Sequence, residues 1–344
     1  MEASNRSPDP VTPAAPRVLV LTNMYPDPQR PARGAFVKVQ VDALRALQIP
    51  VDVMVIDGSR GWHAYAVAVL RLRQRIAQFR PDVIYAFYGL SGWVALWQSC
   101  PVVLSLAGSD ILGSPATRGG VTLRSRAAIL LSQWASHRAA HVCVQSREMR
   151  ERLWGRALRA RTEVVVLGVD PEKFRPGDQA EARRRLGLPD GTPLVIFPNT
   201  PTERVKRLDL AQAAMEIVRR QLPEVQLRIV TNVPHDTMPD YYRAADALLL
   251  TSEWEGFPNV VKEALLCGLP VVTTDVSDVR RWIPLSPESS VSSRDPSIIA
   301  SHLVEVLRHR PRVDPVPFLQ VFGSEAVTRR MLEILRAVVA SRRK

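Results

Sequence analysis

Short apolar runs alternate twice over with stretches of helical periodicity, and that alternation constrains the fold more than any other feature. Arg17–Thr22, Val51–Ile56, Val83–Phe87, Val102–Leu106 and His141–Val144 are runs of strand length. Between them lie helical patterns such as Ala64–Phe79 and Val121–Arg138. A chain written this way builds a parallel sheet whose strands are joined by crossover helices. The pattern breaks at Gly168-Val169-Asp170, and Pro171, Pro176 and Gly177 follow, a strong linker signal. A second series then begins, with strands expected at Leu194–Phe197, Val225–Val230, Ala247–Leu250 and Val271–Thr273 and helices at Leu208–Gln221 and Asn259–Cys267.

The expected architecture is therefore α/β, with two Rossmann-like βα domains facing across a cleft. Its divisions are a disordered Pro-rich leader over 1–16, a first domain over 17–168, a linker over 169–177 and a second domain over 178–310. A Pro-rich segment with a terminal helix, 311–344, crosses back to the first domain, the helix spanning Ser324–Val339. A length of 344 residues suits two cores. No apolar run is long enough to span a bilayer and the first residues hold no signal core, which places the protein in the cytoplasm. Cys100, Cys143 and Cys267 have neither disulfide nor metal-site spacing and are expected to be reduced and buried.

The formal charge is +12, and residues 1–168 hold 21 Lys and Arg against 11 Asp and Glu. Such a field favours an anionic partner. Aromatic-basic RNA signatures and paired Cys/His spacings are absent, so nucleic acid is set aside in favour of an anionic membrane surface, reached from the inner face. Arg71, Arg73, Arg75 and Arg80 flank Val69, Leu70, Leu72, Ile76 and Phe79, while Arg118, Arg124 and Arg126 precede Ile129-Leu130-Leu131. These are either membrane-facing amphipathic helices or core helices with solvated arginines.

The chemistry concentrates after the strand Ala247–Leu250. Gly256 and Pro258 force a tight turn at the carboxyl edge of a parallel strand, where ligands sit, and a helix starts at once. Its first N–H groups, around Asn259 and Val260, form an anion site for a diphosphate. Glu255 and Glu263 bracket the turn, and each carboxylate accepts hydroxyl hydrogen bonds of the kind sugars offer.

The run from Ala245 to Asp275, ADALLLTSEWEGFPNVVKEALLCGLPVVTTD, closely resembles the signature of glycosyltransferase family 4, the retaining GT-B enzymes with an E-x(7)-E motif. The resemblance implies that Glu255 contacts donor-sugar hydroxyls, that Glu263 holds the ribose, and that the amides of Phe257, Pro258-Asn259 and Val260 face the diphosphate. Gly34 is similar to the family glycine whose backbone approaches the donor phosphate, with a plain helix-start glycine as the alternative. Gly108-Ser109-Asp110 resembles the family's Gly-Ser-Asp segment, which puts Asp110 with Glu255 and Lys206 in the catalytic set. PTERVKRLDLA, Pro201 to Ala211, is similar to the basic segment opening the donor domain, and Lys206 with Arg204 would neutralise the leaving diphosphate. Where relatives carry histidine, arginine and glycine, this chain has Ala107, Thr200–Glu203 and Ser277.

The implied activity is transfer of a hexosyl unit, with retention, from a nucleotide-diphosphate sugar to a hydroxyl acceptor on a glycan or lipid carrier, in bacterial polysaccharide, glycolipid or envelope biosynthesis. Neither metal nor cofactor is expected beyond the donor substrate itself. The departures leave open a catalytically silent accessory subunit that only binds a nucleotide sugar. A dinucleotide oxidoreductase is disfavoured, because the first strand is not followed by G-x-G-x-x-G.

Overall fold

The computed structural model describes residues 15–30, 33–113, 122–198 and 204–343; most of the leader, Arg118 and Thr200–Glu203 lie outside them. Two all-parallel sheets carry the chain. The first has six strands, β1 Val18–Thr22, β2 Val51–Val55, β3 Val83–Phe87, β4 Val102–Ser105, β5 His141–Val144 and β6 Thr162–Val164, in the order β2-β1-β3-β4-β5-β6. The second has five, β7 Leu194–Pro198, β8 Gln226–Val230, β9 Ala247–Leu250, β10 Val271–Thr274 and β11 Ser290–Ser292, in the order β11-β10-β9-β7-β8. Strands β1, β3, β4, β7, β9 and β10 are buried along their length, which is why they read as uninterrupted apolar runs.

The two strands that the sequence reading did not anticipate are β6 and β11. Each is three residues long, at a sheet edge, and polar enough (Thr-Glu-Val, Ser-Val-Ser) to give no apolar run. The helices Gln179–Leu186 and Pro296–His309 were also unanticipated. Asp178 and Asp295 cap them through Glu181 N and Ser297 N, a start signal legible in the sequence.

Both faces of the first sheet are covered. On one face, α1 (Ala35–Ala46) and the terminal helix Ser324–Arg343 pack together, with Val37, Val41, Met331 and Leu335 against Val18, Val20 and Tyr85. On the other lie α2 (Trp62–Phe79), α3 (Gly89–Ala95) and the helix Leu123–Arg138. Leu72 is buried there, and Val69, Ile76 and Phe79 pack on the same core. For Val69, Leu72, Ile76 and Phe79 the core-helix alternative holds, and of the five only Leu70 points outward.

The chain returns to the first sheet at a pinned crossing. Val169 N donates to Phe322 O at 2.7 Å and Ser324 N to Val169 O at 2.8 Å, so linker and return segment meet in one isolated parallel bridge, Val169 with Gly323. The three cysteines are buried thiols, with burial raising the pKa of each.

Candidate functional site

β9 ends just before Thr251, and the loop to Pro258 runs along the carboxyl edge of the second sheet before the helix Asn259–Leu266 begins. Pro258 supplies no side-chain cap, so the first N–H groups of the helix keep their hydrogen-bonding capacity for something outside it. Asn259 and Val260 open onto a cleft of 310 Å³ between the sheets. Ala35 and Phe36 at the start of α1, the linker residues Gly168–Asp170, Lys206, His235 and Glu263 also line it. Two helix starts and one lysine thus converge there, a field suited to an anion.

Gly256 is required by packing between the two sheets. A Cβ on it would lie 2.6 Å from Ala107 O and 3.1 Å from Gly108 Cα, so the donor turn and the first sheet's 107–108 loop touch backbone to backbone. Ser277 holds the turn from behind, its hydroxyl donating to Gly256 O at 2.6 Å from a left-handed backbone with φ of 54°. A positive φ is what glycine adopts freely. Here the hydroxyl gives the serine a partner that glycine would lack. Phe257 is buried against Phe322, with ring centroids 5.6 Å apart.

Glu255 and Lys206 meet: Lys206 Nζ donates to Glu255 Oε1 at 2.6 Å, and Ser252 Oγ donates to the same oxygen at 2.8 Å. Both side chains are mostly buried. Lys206 is brought there because the Arg204–Lys206 turn lies along the donor loop, with Glu253 N on Val205 O and Thr251 Oγ1 on Lys206 O, both at 2.8 Å. Arg204 is on that turn and exposed.

Glu263 is engaged more fully than the reading of it as a ribose ligand supposed. Its Oε1 lies 3.0 Å from His235 Nε2, and its Oε2 accepts from Tyr242 Oη at 2.8 Å. A ribose hydroxyl would have to use the remaining lone pairs. Burial first, and the neighbouring Glu263 second, push the Tyr242 phenol well above its ordinary pKa, so it stays a donor. Lys173 Nζ lies 2.9 Å from His235 Nδ1; an ammonium only donates, so the imidazole proton sits on Nε2 and is given to Glu263. Residues 28 and 21 positions away in the chain carry no spacing signal, and sequence reading missed both.

Two of the assigned residues also serve their own loops. Gly34 has a φ of +65°, and a Cβ there would come 2.4 Å from the Met24 carbonyl group. Its own loop therefore demands glycine whether or not a phosphate approaches. Asp110 does not join Lys206 in the cleft between the sheets. Its carboxylate accepts from the backbone N–H groups of Gly89 (3.2 Å), Ala107 (3.2 Å) and Gly108 (2.9 Å), so it shapes the loop against which Gly256 packs. Burial nonetheless raises its pKa, against the lowering effect of those bonds. Its edge reaches a second cleft of 310 Å³ inside the first domain, shared with Asn23, Tyr88 and Arg124.

One residue inside the motif was overlooked. Lys262 is fully buried and its Nζ donates to Leu167 O, just before the linker, at 2.7 Å. Burial pulls its pKa down to about 7, against the opposing pull of Glu263. Among the described residues no cluster of three His, Cys, Asp or Glu side chains is arranged to hold a metal.

The chain is similar to known glycosyltransferases. A "Glycosyl transferase 4-like domain" model matches residues 14–170 and a "Glycosyl transferases group 1" model matches 216–309. A D-inositol 3-phosphate glycosyltransferase of Geodermatophilus obscurus is 27% identical over 290 residues, 72% of this chain and 64% of that one. One from Frankia alni is 31% identical over 43% of this chain and 45% of its own length, so the chain spans less than two thirds of either. A putative teichuronic acid biosynthesis glycosyltransferase of Bacillus subtilis is 24% identical over 76% of this chain and 82% of that one. Among solved structures, sucrose-phosphate synthase from Thermosynechococcus elongatus superposes with a TM-score of 0.77 at 18% identity, covering 94% of this chain and all of that one. Anabaena Alr3699/HepE in complex with UDP and glucose gives 0.68 at 17% identity over 94% and 100%. The two models, matching 14–170 and 216–309, and these relatives place the chain in glycosyltransferase family 4, and the solved structures give it the GT-B fold.

Proposed function

We propose that this protein transfers a hexosyl unit, with retention of anomeric configuration, from a nucleotide-diphosphate sugar to a hydroxyl acceptor. The observation that carries this reading is the cleft where the uncapped helix start at Asn259-Val260, Lys206 and Glu263 meet, with Glu255 paired to Lys206 at its edge. The diphosphate sits at the helix start, the ribose against Glu263, and the sugar beside Glu255. As the bond between the anomeric carbon and the phosphate oxygen breaks, negative charge grows on the diphosphate, where the Lys206 ammonium and the helix amides are already aimed. The acceptor oxygen attacks from the same face and passes its proton to the departing phosphate oxygen. No metal or cofactor is assigned a part, and the enzyme's contribution is positioning and electrostatics.

UDP and UDP-glucose bound to HepE support a nucleotide-sugar donor. The curated relatives, which act on an inositol phosphate and in teichuronic acid synthesis by their names, support an acceptor in bacterial envelope or polysaccharide assembly. We assign the enzyme to the cytoplasmic face of the membrane with a lipid-linked or glycan acceptor. Among the described residues no helix is long and apolar enough to cross a bilayer, and the attachment we assign is peripheral.

The test is a panel of nucleotide sugars. One donor should raise the melting temperature and be hydrolysed slowly, releasing sugar of unchanged anomeric configuration. A thermal shift without hydrolysis or transfer would identify the silent accessory subunit. Release of inverted sugar would overturn the mechanism.

A further inference from the structure

The outer face of the first domain carries a connected aromatic ridge. Trp97, which follows α3, lies 6.3 Å from Trp134 of the helix Leu123–Arg138, ring to ring, and 5.8 Å from Trp93. Its neighbour Gln98 reaches Val69 O on α2. Trp154, outside these ring contacts, is tied to the same helix by its backbone N, which donates to the side chain of buried Gln133. These contacts join three separate elements into one surface. Trp97 and Trp154 are each 50% exposed, Leu130 54% and Leu70 61%, and apolar side chains exposed together on one face mark an interaction surface.

The charge on this layer has one sign. α2, α3 and the helix Leu123–Arg138 contain Arg71, Arg73, Arg75, Arg124, Arg126 and Arg138 and no aspartate or glutamate. Arg75 is committed to Asp52 and Arg138 stacks over Trp134 at 5.1 Å. Arg71, Arg73, Arg124 and Arg126 are exposed. Elsewhere on the chain exposed arginines pair with acids one helical turn away, as Arg185 does with Glu181 and Arg329 with Glu325. A surface that omits these acids and exposes indoles suits an anionic lipid headgroup layer. Indoles favour the headgroup depth of a bilayer, and guanidinium groups pair with lipid phosphates.

We infer that the face formed by α2, α3 and the helix Leu123–Arg138 docks the protein on an anionic bilayer, through Trp97, Trp134, Trp154 and the exposed arginines. This rests on the reading above of an acceptor held at a membrane, and it adds the surface and its orientation. Thr122 and Arg124, at the start of the same helix, line the cleft that holds Tyr88 and Asp110. Docking on this face therefore brings that cleft to the lipid, where a headgroup enters without leaving the bilayer plane.

The experiment uses the whole protein with vesicles of phosphatidylcholine alone and of phosphatidylcholine mixed with phosphatidylglycerol. The expected result is at least about tenfold stronger sedimentation with the anionic vesicles, weakened by salt. Tryptophan fluorescence should shift to the blue and be quenched by brominated acyl chains. The triple variant Arg71→Glu, Arg73→Glu, Arg126→Glu should fall to the level of neutral vesicles while keeping the donor-induced thermal shift, and Trp154→Ser should reduce the quenching. Equal binding to both vesicle types, or unchanged binding by the triple variant, overturns the inference. So do self-association that buries Trp97 without lipid, and preferential binding of single-stranded RNA. Because the donor-induced thermal shift needs no lipid, failure here and failure of the transferase reading are separate outcomes.

Discussion

Replacing Lys262 with methionine should make the protein more stable, and more so in acid than in base. The folded chain holds this amine fully buried, with Leu167 O as its hydrogen-bond acceptor and the Phe257 ring beneath it. Its pKa falls from 10.5 to about 7, and that difference converts to roughly 5 kcal/mol. Below about pH 7 folded and unfolded chains are both protonated, and the cost of burying the charge is present in full. As pH rises from about 7 toward 10.5 the folded state has lost its proton while the unfolded state keeps it. The unfolded state then binds more protons, stability rises with pH, and the penalty fades. Methionine has no such cost but leaves Leu167 O without its donor, a loss of about 1–3 kcal/mol. The variant should therefore be more stable by roughly 2–4 kcal/mol near pH 6, an advantage that shrinks by about 3 kcal/mol by pH 9. Urea unfolding of both proteins at the two pH values, followed by tryptophan emission, measures this. An advantage independent of pH, or a variant less stable at both, would refute the reasoning. Donor KM should rise in the variant, because Lys262 ties the donor helix to the start of the linker.

Three further substitutions read the site itself. Glu255→Gln removes the charge that orients Lys206, so turnover on the best donor should drop by about 100-fold while donor affinity, read by calorimetry, changes little. Glu263→Gln should weaken donor affinity by roughly 1.5–3 kcal/mol with a smaller effect on saturated turnover; an unchanged affinity would show that His235 and Tyr242 absorb its whole capacity. Gly256→Ala puts a methyl 2.6 Å from Ala107 O, so it should lower turnover severely while leaving far-ultraviolet circular dichroism unchanged, and a fully active variant would mean that the two loops separate during catalysis.

The legible parts of the fold were those with a strong apolar pattern, including β2 and β8, which are only partly buried. β3, β5, β9 and the helix Leu208–Gln221 were expected from the sequence at the observed bounds, because fully buried strands and two-faced helices write their environment directly into residue type. β6 and β11 left no trace, being short edge strands. In the site, local geometry was legible and distant partners were not. The turn at Gly256, the helix start at Asn259 and the Lys206 segment are each encoded within a dozen residues. His235 and Tyr242 reach Glu263 only because the helix holding Tyr242 packs beside the donor helix, and nothing near Glu263 announces that. Gly34 and Asp110 sit where the family pattern puts them, and their loops also demand them on internal grounds.

The contacts of Asp110 also say how the halves cooperate. Asp110 gathers the amides of Gly89, Ala107 and Gly108, and the loop so formed is the floor on which Gly256 rests. Ser277 fixes Gly256 from the other side, and its neighbour Asp278 accepts from Arg147 N of the first domain at 3.0 Å. Lys262 adds the third tie, at Leu167. The donor turn is thus positioned from both halves, and the Ala107 and Ser277 departures fall at these junctions. A histidine in place of Ala107 would keep the backbone N–H and C=O that the junction uses, and a glycine in place of Ser277 would keep its φ. Both departures therefore leave the packing of the donor turn intact, and what Ser277 adds is a hydroxyl that makes the turn more rigid than glycine would.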